Sequence, residues 1–217
     1  MPHRRSRFQS LQIALAVLAL AFVSLAQAHA DMAKAIAAYK AGDFKAAARE
    51  FEHAAANGDA QAQNNLGAMY DKGLGVARDH GKAAKWFKAA AKNGHAMAQS
   101  NLGIMFATGR GVPQNPKEAI TWYRKAAAQG VLLAQFNMGL SYERGDGVEQ
   151  DFGESVKWYR MAAEQGHAKA QNNLGLAYEN GRGVSRNTDE AIMWFRKAAI
   201  QGLTIAQSNL ARLLVSK

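Results

Sequence analysis

The chain has no cysteine in its 217 residues, so neither a disulfide framework nor a thiolate metal site supports it, and the acceptor residue of a lipoprotein is missing. Proline is scarce, with three in all, and no stretch is dominated by one residue type. Acidic residues are outnumbered, 17 Asp and Glu against 27 Lys and Arg, for a net charge of +10. That balance favours anionic surfaces or partners and says nothing about fold. What is plentiful is apolar residue: 48% hydrophobic content in a chain of this length buries a sizeable core and excludes disorder throughout.

The long apolar run lies at the start. Arg4, Arg5 and Arg7 precede an almost wholly apolar Leu11 to Ala26, and two small-residue sites follow, Ala26-Gln27-Ala28 and Ala28-His29-Ala30. Basic start, apolar core and A-x-A site together read as a secretory signal peptide over 1–30, cleaved after Ala28 or Ala30. The run is short for a spanning helix. Residues from Asp31 onward are therefore expected in the periplasm or, as an alternative, secreted from the cell, and export takes nucleic acid out of consideration as a partner.

Trp86, Trp122, Trp158 and Trp194 are spaced by 36 residues with no insertion. A fixed period of this length is the mark of a repeat array. The units run 60–95, 96–131, 132–167 and 168–203, preceded by a shorter motif over 31–59 and followed by a half-unit, 204–217. Each reads A-x-A-Q-x-N-L-G-x-x-Y, then G-x-G-V, then a capped W-[FY] segment ending in A-A-x-x-G. Ala62, Leu66, Gly67 and Tyr70 share one helical face. Gly73 ends that first helix and Gly75 lets the loop turn back. Asn115 as N-cap, Pro116 at the first helical position and Glu118 as the reciprocal partner announce the second helix, and Asp151 with Glu154 and Asn187 with Glu190 repeat the box.

In the second unit the motif is Ala98-Gln99, Asn101-Leu102-Gly103, Phe106, Gly109-Arg110-Gly111-Val112, Trp122-Tyr123, Ala126-Ala127 and Gly130. These residues closely resemble the Sel1-like repeat, a relative of the tetratricopeptide repeat, and the opening Ala38 to Phe44 looks more like a tetratricopeptide motif. The resemblance implies an all-α fold, an α/α solenoid in which antiparallel helix pairs stack into a right-handed superhelix with a concave binding face. It also implies a protein-binding scaffold or adaptor, in envelope signalling or regulation, and no enzyme. Some relatives are cysteine-rich and associated with penicillin binding and hydrolysis. Their paired cysteines are absent here, which weighs against the alternative of an enzyme acting on cell wall or beta-lactams. A further alternative, a secreted host-directed effector, would use the same groove.

No cofactor, metal or catalytic set is expected. The G-x-G pairs follow helices and lack the remaining residues of a phosphate loop. His95 and His167 recur before a new first helix and read as loop histidines. Ser100, Ser141, Ser155 and Ser208 have no nucleophile-elbow context.

Repetition within the chain separates the roles of its positions. Residues invariant in every unit serve the fold, so Asn65, Asn101, Asn137, Asn173 and Asn209 are expected to be buried and bonded to loop backbone. The variable positions 61, 64, 68 and 71 fall on one helical face. In the middle units they are apolar, and Met97, Ile104, Leu133, Phe136 and Leu140 are expected to form a hydrophobic floor for a partner protein, with Phe136 foremost. The competing reading packs Ile104, Leu140 and Leu176 between neighbouring helices. A second, basic face on the later helices carries Lys85, Lys88, Arg124, Arg160 and Arg196. It reads as a solvated surface able to meet an anionic envelope polymer. At the C-terminus Ala211 replaces glycine and no closing helix follows, an end suited to weak self-association. A monomer at high concentration would remove that expectation.

Overall fold

In the computed structural model residues 30–215 are described, which leaves the expected signal peptide, apart from Ala30, outside the described residues. Eleven helices and no strand occur among the described residues: α1 (30–40), α2 (Phe44–Ala56), α3 (Ala60–Lys72), α4 (His80–Lys92), α5 (Ala96–Thr108), α6 (Pro116–Ala128), α7 (Leu132–Arg144), α8 (Phe152–Glu164), α9 (Ala168–Asn180), α10 (Thr188–Ile200) and α11 (Thr204–Val215). Among these residues no helix is long and apolar enough to cross a membrane. The helices pair in sequence order, as an α/α solenoid requires. The chain forms two compact units that divide inside α4, after Ala90.

In the unit before that division, Gly67 of α3 lies against the ring of Phe87, where a Cβ would stand 2.8 Å from a ring carbon. In the other unit the same contact recurs as Gly103 on Tyr123, Gly139 on Tyr159 and Gly175 on Phe195, at 2.5, 2.5 and 2.7 Å. No real side chain tolerates such a distance, so glycine at this position sets how closely the two helices of a repeat approach. The second loop glycine has a comparable reason: Gly147 sits on the backbone of Pro116 and Gly183 on that of Phe152, the first residues of the preceding repeat's second helix. The G-x-G pairs are thus packing devices between repeats.

The expected N-caps form. Asn115 accepts from the Glu118 amide at 3.1 Å, Asp151 from that of Glu154 at 3.0 Å, and Asn187 from that of Glu190 at 3.1 Å. The reciprocal half of the box does not. The cap N–H groups of Asn115, Asp151 and Asn187 instead donate to the carbonyls of Phe106, Tyr142 and Tyr178, tying the loop across each repeat. Glu118 and Glu190, released from that duty, accept the indole N–H of Trp122 and Trp194 at 2.9 and 3.1 Å. In these two repeats the tryptophan and the glutamate are joined by one interaction, i to i+4 along a helix.

The buried amide of the repeat is glutamine and not asparagine, a correction to the sequence reading. Asn65, Asn101, Asn137, Asn173 and Asn209 are only half-buried, whereas Gln63, Gln99, Gln135 and Gln171 are buried and donate to the carbonyls of Ala55, Ala91, Ala127 and Ala163. Gln129, Gln165 and Gln201 then donate to the free oxygens of Gln99, Gln135 and Gln171 at 2.8, 2.7 and 2.8 Å. Each of these buried amides is satisfied on both sides, as burial demands. Both residue types are invariant, and invariance alone does not say which of the two is inside.

Adding a methyl at Gly139 is expected to cost about 1–3 kcal/mol, because Tyr159 is buried and cannot move aside. Urea denaturation of Gly139→Ala checks this, and a midpoint unchanged from wild type would show that the contact does not govern the pairing.

Candidate functional site

The face built from the variable positions holds a depression of about 470 Å³ between α5, α6 and α7. Ile104, Leu133, Phe136 and Leu140 all line it, together with the invariant Asn137 and the charged Arg144, Asp146 and Lys169. The local reason is helical spacing: positions four and seven apart stack on one side of α7, and position 104 reaches the same space from α5. Met97 is not brought there; it is 47% exposed and outside the lining of the depression.

Phe136 is placed differently from the expectation. It is only 9% exposed, its ring lying 5.9 Å from that of Tyr159 and 4.6 Å from the imidazole of His167. It supports the floor from below, and an acidic residue there would break the repeat before it tested binding. Ile104, Leu133 and Leu140 are half-buried and pack against the adjoining core. They combine the two roles that the sequence left as alternatives, packing with one side and lining the depression with the other.

The acidic ends of the stripe are held internally. Asp71 bonds His80 at 2.9 Å, Glu143 accepts the Tyr159 hydroxyl at 2.5 Å, and Glu179 takes both guanidinium nitrogens of Arg212 at 2.5 and 2.9 Å. Burial first, then the Glu143 carboxylate, pushes the Tyr159 phenol well above its ordinary range, so it stays a neutral donor. What remains open to a partner on this face is apolar surface with Arg144, Lys169 and Asp146 beside it.

His95 and His167 are N-caps and not plain loop residues. Their Nδ1 atoms accept from the amides of Ala98 and Ala170, each at 3.2 Å, where Asp59 does the same for Ala62 at 2.7 Å. Sequence could have found this, since all three stand directly before the alanine that opens the motif. An accepting Nδ1 must be unprotonated. For His167 burial, and secondarily the Lys169 charge, lowers the pKa from its ordinary value.

On the second helices Lys85, Lys88, Arg124 and Arg196 are exposed. Arg160 departs from them: half-buried, it donates to the Tyr178 hydroxyl at 2.6 Å and so joins α8 to α9. It is a packing residue and leaves the basic face. Ser155 donates to the Gly139 carbonyl at 2.8 Å, which gives it a structural role too. Among the described residues no group of acids and histidines is placed to hold a metal ion.

The family model of the Sel1 repeat matches 60–95, 96–131, 132–167 and 168–203, the units defined by the tryptophan period. The chain belongs to the Sel1-repeat family. A protective antigen of uropathogenic Escherichia coli strains with the SLR fold is 38% identical, with a TM-score of 0.82 over 86% of this chain. The match takes in 41% of that antigen's length. A Sel1 repeat protein of Oxalobacter formigenes is 36% identical, with a TM-score of 0.78, covering 83% of this chain and 74% of its own. A Sel1 repeat protein of Klebsiella pneumoniae, 20% identical with a TM-score of 0.56 over 88% of this chain and 93% of its own, shares the fold. No curated protein matches significantly. Sel1 repeats commonly serve as protein–protein interaction scaffolds and are generally not enzymes.

Because folding favours neutral His167, its contribution to stability is present above the usual histidine pKa and is lost as pH falls below it. Between about pH 7.5 and pH 5, Tm is expected to fall further for wild type than for His167→Asn, whose cap does not titrate. Equal falls in the two proteins would show that this histidine does not report on acid.

Proposed function

We propose that the protein is an exported scaffold that holds a partner protein on the α5–α7 face, with side chains of the partner seated in the depression lined by Ile104, Leu133, Phe136 and Leu140. One observation carries this reading: the variable positions of two consecutive repeats converge on a single depression, while Glu143 and Glu179, the acidic members of the variable set in this unit of the chain, are already paired. Repeats that needed these positions only for folding would have no cause to differ there. Arg144 and Lys169 outnumber Asp146 in the lining, a balance that favours a partner segment with an apolar anchor next to an acidic residue. The N-terminal Arg4 to Ala30 pattern supports export to the periplasm or beyond it.

Two ancillary contacts belong to the same proposal. Lys85, Lys88, Arg124 and Arg196 would rest against an anionic envelope surface. The end of α11, where Leu214 and Val215 are 50% and 89% exposed, would give weak self-association.

The array supplies its own controls for a test. Position 133 corresponds to Gln61 in the first unit and position 140 to Ala68, so Leu133→Gln with Leu140→Ala installs residues that the repeat already accepts. Affinity capture from envelope extract and from spent medium, followed by titration of the captured protein, is expected to show binding weakened about tenfold or more per lost leucine, with the circular dichroism spectrum unchanged. Equal affinity for wild type and variant would overturn the assignment of this face.

A further inference from the structure

A smaller depression of about 240 Å³ opens in the first compact unit between α1, α2 and α3. Its floor is apolar, with Ile36, Phe51 and Met69, while Lys40, Asn65 and Lys72 bring polar groups to it. Position 68, which lines it, is alanine, where the other units carry Ile104, Leu140 and Leu176.

The polar groups are of one kind. Neither Lys40 nor Lys72 has an acidic partner among the described residues, and no carboxylate lines the space. Asn65 uses its oxygen to accept from Gln61 at 3.1 Å, which leaves its amide hydrogens to donate. Two ammonium groups and an amide donor over an apolar floor complement a carboxylate that carries an apolar group. The volume lies below the range of about 300–1,000 Å³ usual for sites that take drug-sized ligands, so it suits one side chain and not a long acyl chain.

We propose that this depression is a terminal-carboxylate site, which takes the free C-terminus of a partner polypeptide ending in an apolar residue. Lys40 and Lys72 hold the carboxylate, the last side chain enters the space above Phe51 and Met69, and the Asn65 amide donates to the last peptide carbonyl. The site is independent of the α5–α7 depression and uses none of its residues, so either proposal can fail alone.

The test is a titration of the isotope-labelled protein, followed by amide NMR shifts, with acetyl-Gly-Ala-Leu bearing a free carboxyl group, with the same tripeptide as its amide, and with hexanoate. The free acid is expected to give saturable shifts confined to α1, α2 and α3. Loss of a charge-assisted bond weakens binding about tenfold or more, so the amide should bind correspondingly worse, as should the free acid to Lys40→Gln/Lys72→Gln. Ala68→Leu, the residue at 140 and 176, should abolish the shifts while leaving the melting curve intact. No shifts with the free acid, equal binding of acid and amide, or persistence in either variant would overturn the site. Hexanoate binding as tightly as the tripeptide would overturn the assignment to a polypeptide terminus.

Discussion

The distance between the two helices of a repeat is set where an aromatic ring of the second lies on a glycine of the first. At Gly67, Gly103, Gly139 and Gly175 the ring occupies the place of the missing side chain. From that approach follow the burial of Tyr123, Tyr159 and Phe195, the reach of the cap amides to the first helix, and the outward turn of the variable stripe. Ala211 shows the rule from the other side. In α11 a methyl group stands where the ring would lie, and Ala211 is exposed. An aromatic second helix could not seat there at the same distance.

Much of this was legible in the residues. The period, unit boundaries and N-caps follow from the 36-residue spacing and from Asn115, Asp151 and Asn187, because helix signals are local and the repeat states them several times. What stayed hidden depends on direction. Gln135 and Asn137 are equally invariant, two residues apart, yet one points into the repeat joint and the other to the depression. Phe136 varies between units but is buried, as Ser100 and Asn172 are at the same position, and its ring lies against Tyr159 and His167. The indole bonds of Glu118 and Glu190 escaped because the capping box offered a ready explanation of the same spacing.

The candidate site follows from a division of labour on one helix. The Gln135 side and Gly139 face the joint, while the variable Leu133 and Leu140 border the open space. Selection on a partner can then change the second set while the first holds the fold, which is how one repeat carries different faces along one chain. Ala68 stands where the third unit has Leu140, and the spaces the two line differ in size.

The measurement that tests the central claim most directly is photo-crosslinking in the producing cell. A benzoylphenylalanine is placed at residue 133, at the mouth of the α5–α7 depression, and in a parallel strain at residue 124 on the exposed side of α6. A discrete adduct from 133, absent from 124, is expected if partner recognition resides on the first-helix face. Adducts from 124 alone would contradict that claim and place recognition on the basic face.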